Sequence, residues 1–496
     1  MPRPLRLLLP LAAGAVSALG FAPLDWWPLT LAGVAILFWS IERSASVRGA
    51  AAVGWWFGVG QFTVGLYWIA TAFTYQAAMP AFLGVVTVVL LSMFLSIYPA
   101  LAAGLARAWP RPGASRLLIF AAAWMSSEWL RGHVLSGFAW NPLGAAWLPA
   151  GGVALAAAWV GALGLSALMV VAGGLFAVVR KPVEIVAAIA GLSGLLAVTA
   201  LIPSPPAAAT GPLVHLIQPN LGQELKYDDP VVHIENYLAL SRAALGPEPH
   251  PQSITIWSES AVLDLVEENP AVRAHLASVL SPGDLLLFGG EAVTRNPDGT
   301  AATATNSLFV LDSDAVLRAR YDKSHLVPLG EYVPARPLMS RLGLTRLTPG
   351  AIDFLPGPGP RTLDLPGFPA AGIQICYEVI FPAAVVDEAH RPAWIVNISN
   401  DAWFGAWGPP QHLAQTRLRA IEEGLPIARV TPTGISAMID ADGRIVARIA
   451  PHTAASLSLR VPPPHPPTLF AQFAHWTNFA LGLVLVSAAL ALRRRI

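Results

Sequence analysis

The 496 residues hold one cysteine, Cys376, so no intramolecular disulfide can form. Neither paired cysteines nor closely spaced histidines occur, and a zinc site is not expected. Charge is also scarce: Asp, Glu, Lys and Arg make up 12% of the chain against 54% hydrophobic residues, too apolar for a soluble protein of this size. The formal net charge of +1 gives no global attraction to nucleic acid. No cofactor, no metal and no nucleic-acid partner is therefore expected. Histidines such as His412 and His475 stand alone and read as structural or interfacial.

What the chain has instead is apolar segments of membrane length, near residues 6–22, 28–42, 50–72, 81–106, 116–130, 154–179, 183–202 and 472–492. Some are shorter than the roughly 20 residues of a perpendicular span, which implies tilt or partial interfacial placement. The first follows Arg3 and Arg6 like the core of a signal peptide, but further spans follow at once, so it is read as retained. Basic residues set the orientation. Arg43, Arg48, Arg107, Arg111, Arg116, Arg180, Lys181 and the terminal Arg493–Arg495 all fall on the face that Arg3 and Arg6 mark. The alternate short loops carry only Arg131. The basic face is the cytoplasmic one, with both termini inside.

By that parity the long segment before the last span lies outside. Pro-rich stretches at 203–212 and 462–471 bracket it and suit semi-rigid spacers. The expected organisation is thus a helical membrane domain of about eight spans over 1–202 and 472–496, with an α/β domain over 213–461. Within that domain strands are expected at Leu213–Ile217, Ile254–Trp257, Leu285–Phe288, Ser307–Leu311, Gly372–Ile375, Trp394–Ile398, Ile427–Thr431 and Ser436–Ile439. Helices are expected over 231–244, 270–280 and 410–424, and Asp440-Ala-Asp-Gly443 reads as a hairpin turn before a last strand.

Three stretches carry the chemistry. Ile254-Thr-Ile-Trp257-Ser258-Glu259 ends a β-branched run in a carboxylate. Tyr321-Asp-Lys323-Ser-His325-Leu-Val-Pro328-Leu-Gly330-Glu331 places a lysine at the start of a Pro/Gly-rich loop and a second glutamate further along it. Gly372-Ile-Gln-Ile-Cys376-Tyr377-Glu378 puts the lone thiol where a strand runs into a turn, near backbone N–H groups able to hold an oxyanion. A lone cysteine is ordinarily a small buried hydrophobe; a carboxylate and a lysine in such contexts argue for a nucleophile instead.

The order glutamate, lysine, cysteine resembles the nitrilase, or carbon–nitrogen hydrolase, superfamily, and more closely its membrane-embedded branch, the apolipoprotein N-acyltransferases. That resemblance implies a four-layer α-β-β-α sandwich for the outer domain. It also implies Glu259 as general base, Lys323 as electrostatic partner and Cys376 as nucleophile, with Glu331, Tyr377 and Glu378 in support. Glu378 also suits the start of a helix. Candidates for substrate contact are Tyr227, the aromatics Trp403 and Phe404 of Asn400-Asp-Ala-Trp403-Phe404-Gly405, and Arg131, which reads either as a lipid-phosphate contact or as an interfacial anchor. Three departures from the family pattern stand out. Ser258 replaces a usual proline, Tyr227 replaces a frequent tryptophan, and Thr431-Pro432-Thr433-Gly434 replaces an asparagine-containing turn.

The function implied is N-acylation. A fatty acyl chain, commonly the sn-1 chain of phosphatidylethanolamine, passes from a phospholipid to Cys376. It then moves to the α-amino group of the diacylglyceryl-cysteine at a lipoprotein's N-terminus. Partners are the phospholipid donor, the diacylated apolipoprotein acceptor and membrane lipids; the protein is expected to be a monomer in the inner membrane, its catalytic domain on the periplasmic side. A membrane-tethered amidase or nitrilase is the alternative, and a transporter or lipid-binding protein without catalysis a third class. The topology is testable in a chain whose native cysteine has been replaced. Single cysteines near residues 45 and 113 should resist impermeant reagents in intact cells, and one near residue 245 should react after outer-membrane permeabilisation. Labelling of all three from outside overturns the orientation.

Overall fold

A computed structural model of the chain describes residues 5–75, 80–179, 181–200, 209–222, 229–247, 249–341 and 352–494. They fall into two compact units, one of Met1–Pro205, Ala406–Glu422 and Pro467–Ile496, the other of Pro206–Gly405 and Glu423–Pro466.

The first unit is helical. Every apolar window read from the sequence holds a helix: Leu5–Ser17, Trp27–Glu42, Val47–Gly65, Phe82–Leu95 with Ile97–Ala108, Ala114–His133, Ala157–Val178, Pro182–Ala200 and His475–Arg494. Among the described residues three helical stretches are long and apolar enough to cross a membrane: Phe82–Ala108, Gly151–Val178 and His475–Leu492. Leu7–Gly20, Trp27–Glu42 and Pro182–Gly194 are shorter apolar helices. Small residues let these helices approach closely. A β-carbon on Gly14 would lie 1.9 Å from the Phe57 carbonyl oxygen, and one on Gly60 would lie 2.0 Å from that of Leu11. The first and third helices therefore touch backbone to backbone, as small residues allow in membrane bundles. Two buried charged groups inside this unit have partners: the Arg116 guanidinium meets Glu42 at 2.7 Å, and the Glu128 carboxylate accepts from Trp124 Nε1 and the Leu143 N–H.

The second unit contains two six-stranded sheets. Its strands are β1 (Leu213–Gln218), β2 (Ser253–Ile256), β3 (Leu285–Arg295), β4 (Ala301–Asp312), β5 (Leu317–Asp322), β6 (Thr362–Leu365), β7 (Phe368–Ile375), β8 (Trp394–Ile398), β9 (Ile427–Val430), β10 (Ala437–Ile439), β11 (Ile445–Arg448) and β12 (Ala455–Arg460). One sheet runs β12-β1-β2-β3-β4-β5 and the other β11-β10-β9-β8-β7-β6. Each is parallel at its centre, β1-β2-β3 and β7-β8-β9, and antiparallel towards its edges. Fully buried central strands explain the apolar runs that marked them in the sequence. Val214, Leu216, Ile254 and Leu287 of the first sheet share one core with Ile373, Trp394, Val396 and Ala428 of the second. The outer face of the first sheet, through Ile217, Leu286, Phe288 and Phe309, packs under helices Pro230–Leu245 and Pro270–Ala277. The two packed sheets that the resemblance implies are thus present.

The close helix crossing in the first unit predicts the effect of a larger side chain there. Gly60→Leu should lower the thermal midpoint of the detergent-purified protein, with Gly60→Ala intermediate; an unchanged midpoint in both would overturn the backbone contact.

Candidate active site

Four of the residues singled out from the sequence meet at the carboxyl ends of strands in the second unit. Glu259 lies three residues past β2, Lys323 directly follows β5, and Cys376 directly follows β7. Glu331 arrives on the loop after Lys323. Open α/β sheets commonly place their sites at such strand ends, because loops there are free to vary over a rigid base.

The Lys323 ammonium is the centre. Its Nζ donates to Glu259 Oε1 at 3.1 Å and to Glu331 Oε1 at 2.9 Å, and the lysine side chain is 1% exposed. Asn306, in the middle of β4, donates its amide to the same two oxygens, each at 2.7 Å. Glu331 Oε2 accepts the Val327 N–H at 2.7 Å, and Glu259 Oε2 accepts the Asn400 N–H at 2.8 Å. Burial opposes ionisation of Glu259. The Lys323 charge and the donors from Asn306 and Asn400 outweigh it and hold the carboxyl below its ordinary range. Burial opposes the Lys323 ammonium too, and Glu259 and Glu331 overcome it, so the amine stays charged well above its usual value. Carboxylate oxygens have two lone pairs each. Lys323 and Asn306 occupy those of Glu259 Oε1, whereas Oε2 holds one donor and keeps one acceptor direction open.

Cys376 opens the short helix Cys376–Ile380 with φ +52°, in the left-handed region that strains a residue with a β-carbon. Burial raises the thiol above its ordinary value; Glu259 and Asp401 push it the same way and Lys323 opposes them. The resting group is therefore a neutral thiol facing an ionised Glu259. Glu378 fixes the turn. Its Oε2 accepts the Ile375 N–H at 2.6 Å, while Oε1 accepts from Tyr321 Oη, the Ser324 N–H and Ser324 Oγ at 2.6–2.7 Å. One carboxyl group thereby ties the loop carrying Lys323 to the turn carrying Cys376, and burial raises its titration above the ordinary carboxyl range. Tyr377 packs edge-on against Phe381, with ring centroids 5.2 Å apart, and faces His325.

None of the described substrate-contact candidates hydrogen-bonds to Lys323, Glu259 or Glu331. Trp403 and Phe404 are half-buried in the short helix Asp401–Phe404, Phe404 against the core shared by the two sheets. Arg131 belongs to the first unit, where it is buried and its Nη1 donates to the Phe138 and Trp140 carbonyls at 3.0 and 2.7 Å. Tyr227 lies outside the described residues. Ser258, in place of the proline, hydrogen-bonds Tyr237 Oη at 2.6 Å and so anchors the strand end before Glu259 to helix Pro230–Leu245. In the substituted turn, Ser436 Oγ bonds both the N–H and the carbonyl of Thr431. Asn306 was not found from the sequence. It precedes the apolar run from which the strand was read; the available signal was an asparagine, disfavoured in strands, inside the polar-apolar alternation Thr303-Ala-Thr305-Asn306-Ser307.

Residues 13–175 match the family model of the apolipoprotein N-acyltransferase N-terminal domain, and 249–459 that of carbon-nitrogen hydrolase. An apolipoprotein N-acyltransferase of Rhodopseudomonas palustris is 36% identical, with 99% of this chain and 95% of the relative covered. One of Bradyrhizobium diazoefficiens is 38% identical over the same shares. Among solved structures, an amidase of the nitrilase superfamily from Nesterenkonia matches at a TM-score of 0.37 and 16% identity, covering 52% of this chain and 94% of its own.

The shared ammonium predicts what neutralising one carboxylate does. Glu331→Gln should leave the protein folded and inserted but slow its reaction at least about tenfold, the factor that ~1.4 kcal/mol of barrier represents. Wild-type activity with a normal melting curve would assign Glu331 to loop closure alone.

Proposed function

The chain belongs to the apolipoprotein N-acyltransferase family, and we propose that within it Cys376 carries the acyl group, with Glu259 as base and Lys323 as oxyanion partner. The observation that carries this assignment is the buried Lys323 ammonium held between two carboxylates beside a buried thiol. The donor is a phospholipid. Cys376 Sγ attacks its ester carbonyl while the thiol proton moves to Glu259 Oε2, the atom with an open acceptor direction. The ammonium meets the oxygen that gains charge, and removing one such preorganised donor typically costs ~3–4 kcal/mol. Collapse breaks the ester C–O bond, the lysophospholipid leaves with the proton from Glu259, and a thioester remains. The α-amino group of the diacylglyceryl-cysteine then attacks the thioester. Glu259 takes the amine proton and returns it to sulfur, and the amide is released.

The membrane protein sits, on this reading, in the inner membrane as a monomer with eight spans, its second unit on the periplasmic side. The basic-residue asymmetry of the short loops supports that orientation. Both substrates are lipids, and a thiol site joined in sequence to membrane spans at both ends suits their lateral arrival.

A two-step transfer means that donor without acceptor leaves the enzyme acylated. In detergent with phospholipid alone, the mass should rise by one fatty acyl chain, mapping to Cys376 and released by hydroxylamine. Cys376→Ala should abolish the adduct, and Glu259→Gln should slow its appearance. A diacylated lipopeptide with a free amino terminus should discharge it, and one with a blocked terminus should not, since an amide nitrogen is a poor nucleophile. Discharge by water as fast as by the amine would establish the tethered amidase instead.

A further inference from the structure

The first unit holds a cavity that the transfer chemistry does not use. Its volume is about 530 Å³. One wall is helix Trp27–Glu42, through Trp27, Pro28, Leu31, Ala32, Ala35 and Ile36. Phe176 of helix Ala157–Val178 and Leu192 of helix Pro182–Ala200 line the other side. Packed proteins leave few voids larger than a water molecule, so a space of this size has an occupant. The volume falls in the ~300–1,000 Å³ range of small-ligand sites.

The lining states what kind of occupant fits. Residues 27, 28, 31, 32, 35 and 36 form one stripe along a helix face, ~13 Å from end to end at ~1.5 Å per residue. A ligand that follows the stripe is long and narrow. Ala32 and Ala35 make its floor, and their small side chains leave the space open. No charged side chain lines it, so the ligand is apolar along its length. Trp27 supplies the one polar side-chain atom, at one end of the stripe. Its indole N–H has no partner among the described residues, while its ring lies 5.7 Å from that of Trp147. Tryptophan combines an apolar ring and a donor in this way at membrane interfaces. Leu192 continues along its own helix face to Ile189 and Ile185, three and seven residues away and both exposed. The cavity thus runs out onto an apolar surface that, in a membrane protein, acyl chains cover.

We propose that this cavity binds one acyl chain of a phospholipid, whose ester carbonyl accepts from the Trp27 indole, and that the resident lipid seats helix Pro182–Ala200 on the bundle. The chain lies over Ala32 and Ala35, where a larger side chain would otherwise fill the space. On the proposed topology Trp27 is at the periplasmic end, so the lipid comes from the periplasmic leaflet. Binding depends neither on that topology nor on Cys376, so this inference and the proposed function fail separately.

The test uses the full chain with Cys376→Ala, which cannot be acylated there, purified in mild detergent. Native mass spectrometry should show one intact phospholipid retained. In vesicles of phosphatidylethanolamine doped with an analogue that carries a photoreactive diazirine in its acyl chain, adducts should map to helices Trp27–Glu42 and Pro182–Ala200. Ala32→Phe and Ala35→Phe fill the cavity, and each should weaken binding enough to lower those adducts at least about tenfold. Adducts on helix Phe82–Leu95, whose Phe82 and Leu90 are exposed, should stay constant as the internal control. With Cys376 restored, both filled variants should still form the acyl-enzyme from phospholipid. Its loss in them alone would make this lipid the donor and overturn its residence. Protein purified without phospholipid, a doubled mass from two copies closing the groove, or unchanged adducts in the folded filled variants also overturns the proposal. If neither filled variant folds, the unfilled protein decides. Adducts on the two cavity helices in higher yield than on Phe82–Leu95 support the site, and equal or lower yield refutes it.

Discussion

A lysine ammonium taken out of water governs the arrangement of the second unit. Isolated, a buried charge of that kind would cost several kcal/mol and would neutralise itself. Lys323 stays charged because Glu259 and Glu331 meet it at 3.1 and 2.9 Å, and those carboxylates tolerate burial because Asn306, Asn400 and Val327 donate to them. Its members come from different strands and loops, so β2, β4, β5 and the loop after β8 must be in register for the ammonium to meet both carboxylates. The site therefore selects one geometry, and the parallel strands at the centre of each sheet provide the rigid base for it.

Legibility in the sequence followed burial. Central strands β1, β2, β3, β8 and β9 stand out as short apolar runs that fall within a few residues of their starts, though β3 extends well past the run that marks it. The strands not expected were β5, β6 and β12, and each is the edge of a sheet. Edge strands face solvent on one side, so Leu317-Arg-Ala-Arg-Tyr-Asp322 and Ala455-Ser-Leu-Ser-Leu-Arg460 alternate polar and apolar residues and lack a run. Lys323 was found although its strand was not, because the Pro/Gly-rich loop after it has a signature of its own. Asn306 is not legible for the opposite reason: its importance lies in the two carboxylates it reaches from β4, and no local pattern encodes that.

In the first unit the apolar windows were legible because lipid-compatible helices need long apolar stretches. Their packing was not. Gly14 and Gly60 look like any other glycines in the sequence, and only the crossing of two helices shows that no side chain fits there. The pairing of Arg116 with Glu42 also spans two segments and was read from the sequence only as part of a charge asymmetry. On the proposed topology Arg116 serves both orientation and internal pairing, since a charge near a membrane face must still find a partner where it is buried.

The opposite shifts of thiol and carboxyl at the site both involve the lysine. At rest the proton belongs on sulfur: burial and the Glu259 charge hold Cys376 up, while Lys323 and its fellow donors hold Glu259 down. Transfer from one to the other is uphill in that state, which guards the thiol and also opposes the reaction. The proposed mechanism resolves this through the sharing of a single ammonium. When the ester carbonyl becomes an oxyanion, Lys323 turns part of its charge from Glu259 to the new anion. Glu259 then loses some of the stabilisation that kept it weakly basic, at the moment when the forming S–C bond makes the thiol proton acidic. Both changes favour transfer to Oε2. Glu331 matters in the same step, because a second carboxylate keeps the ammonium from leaving with the oxyanion and returns it to Glu259 when the leaving group has taken the proton.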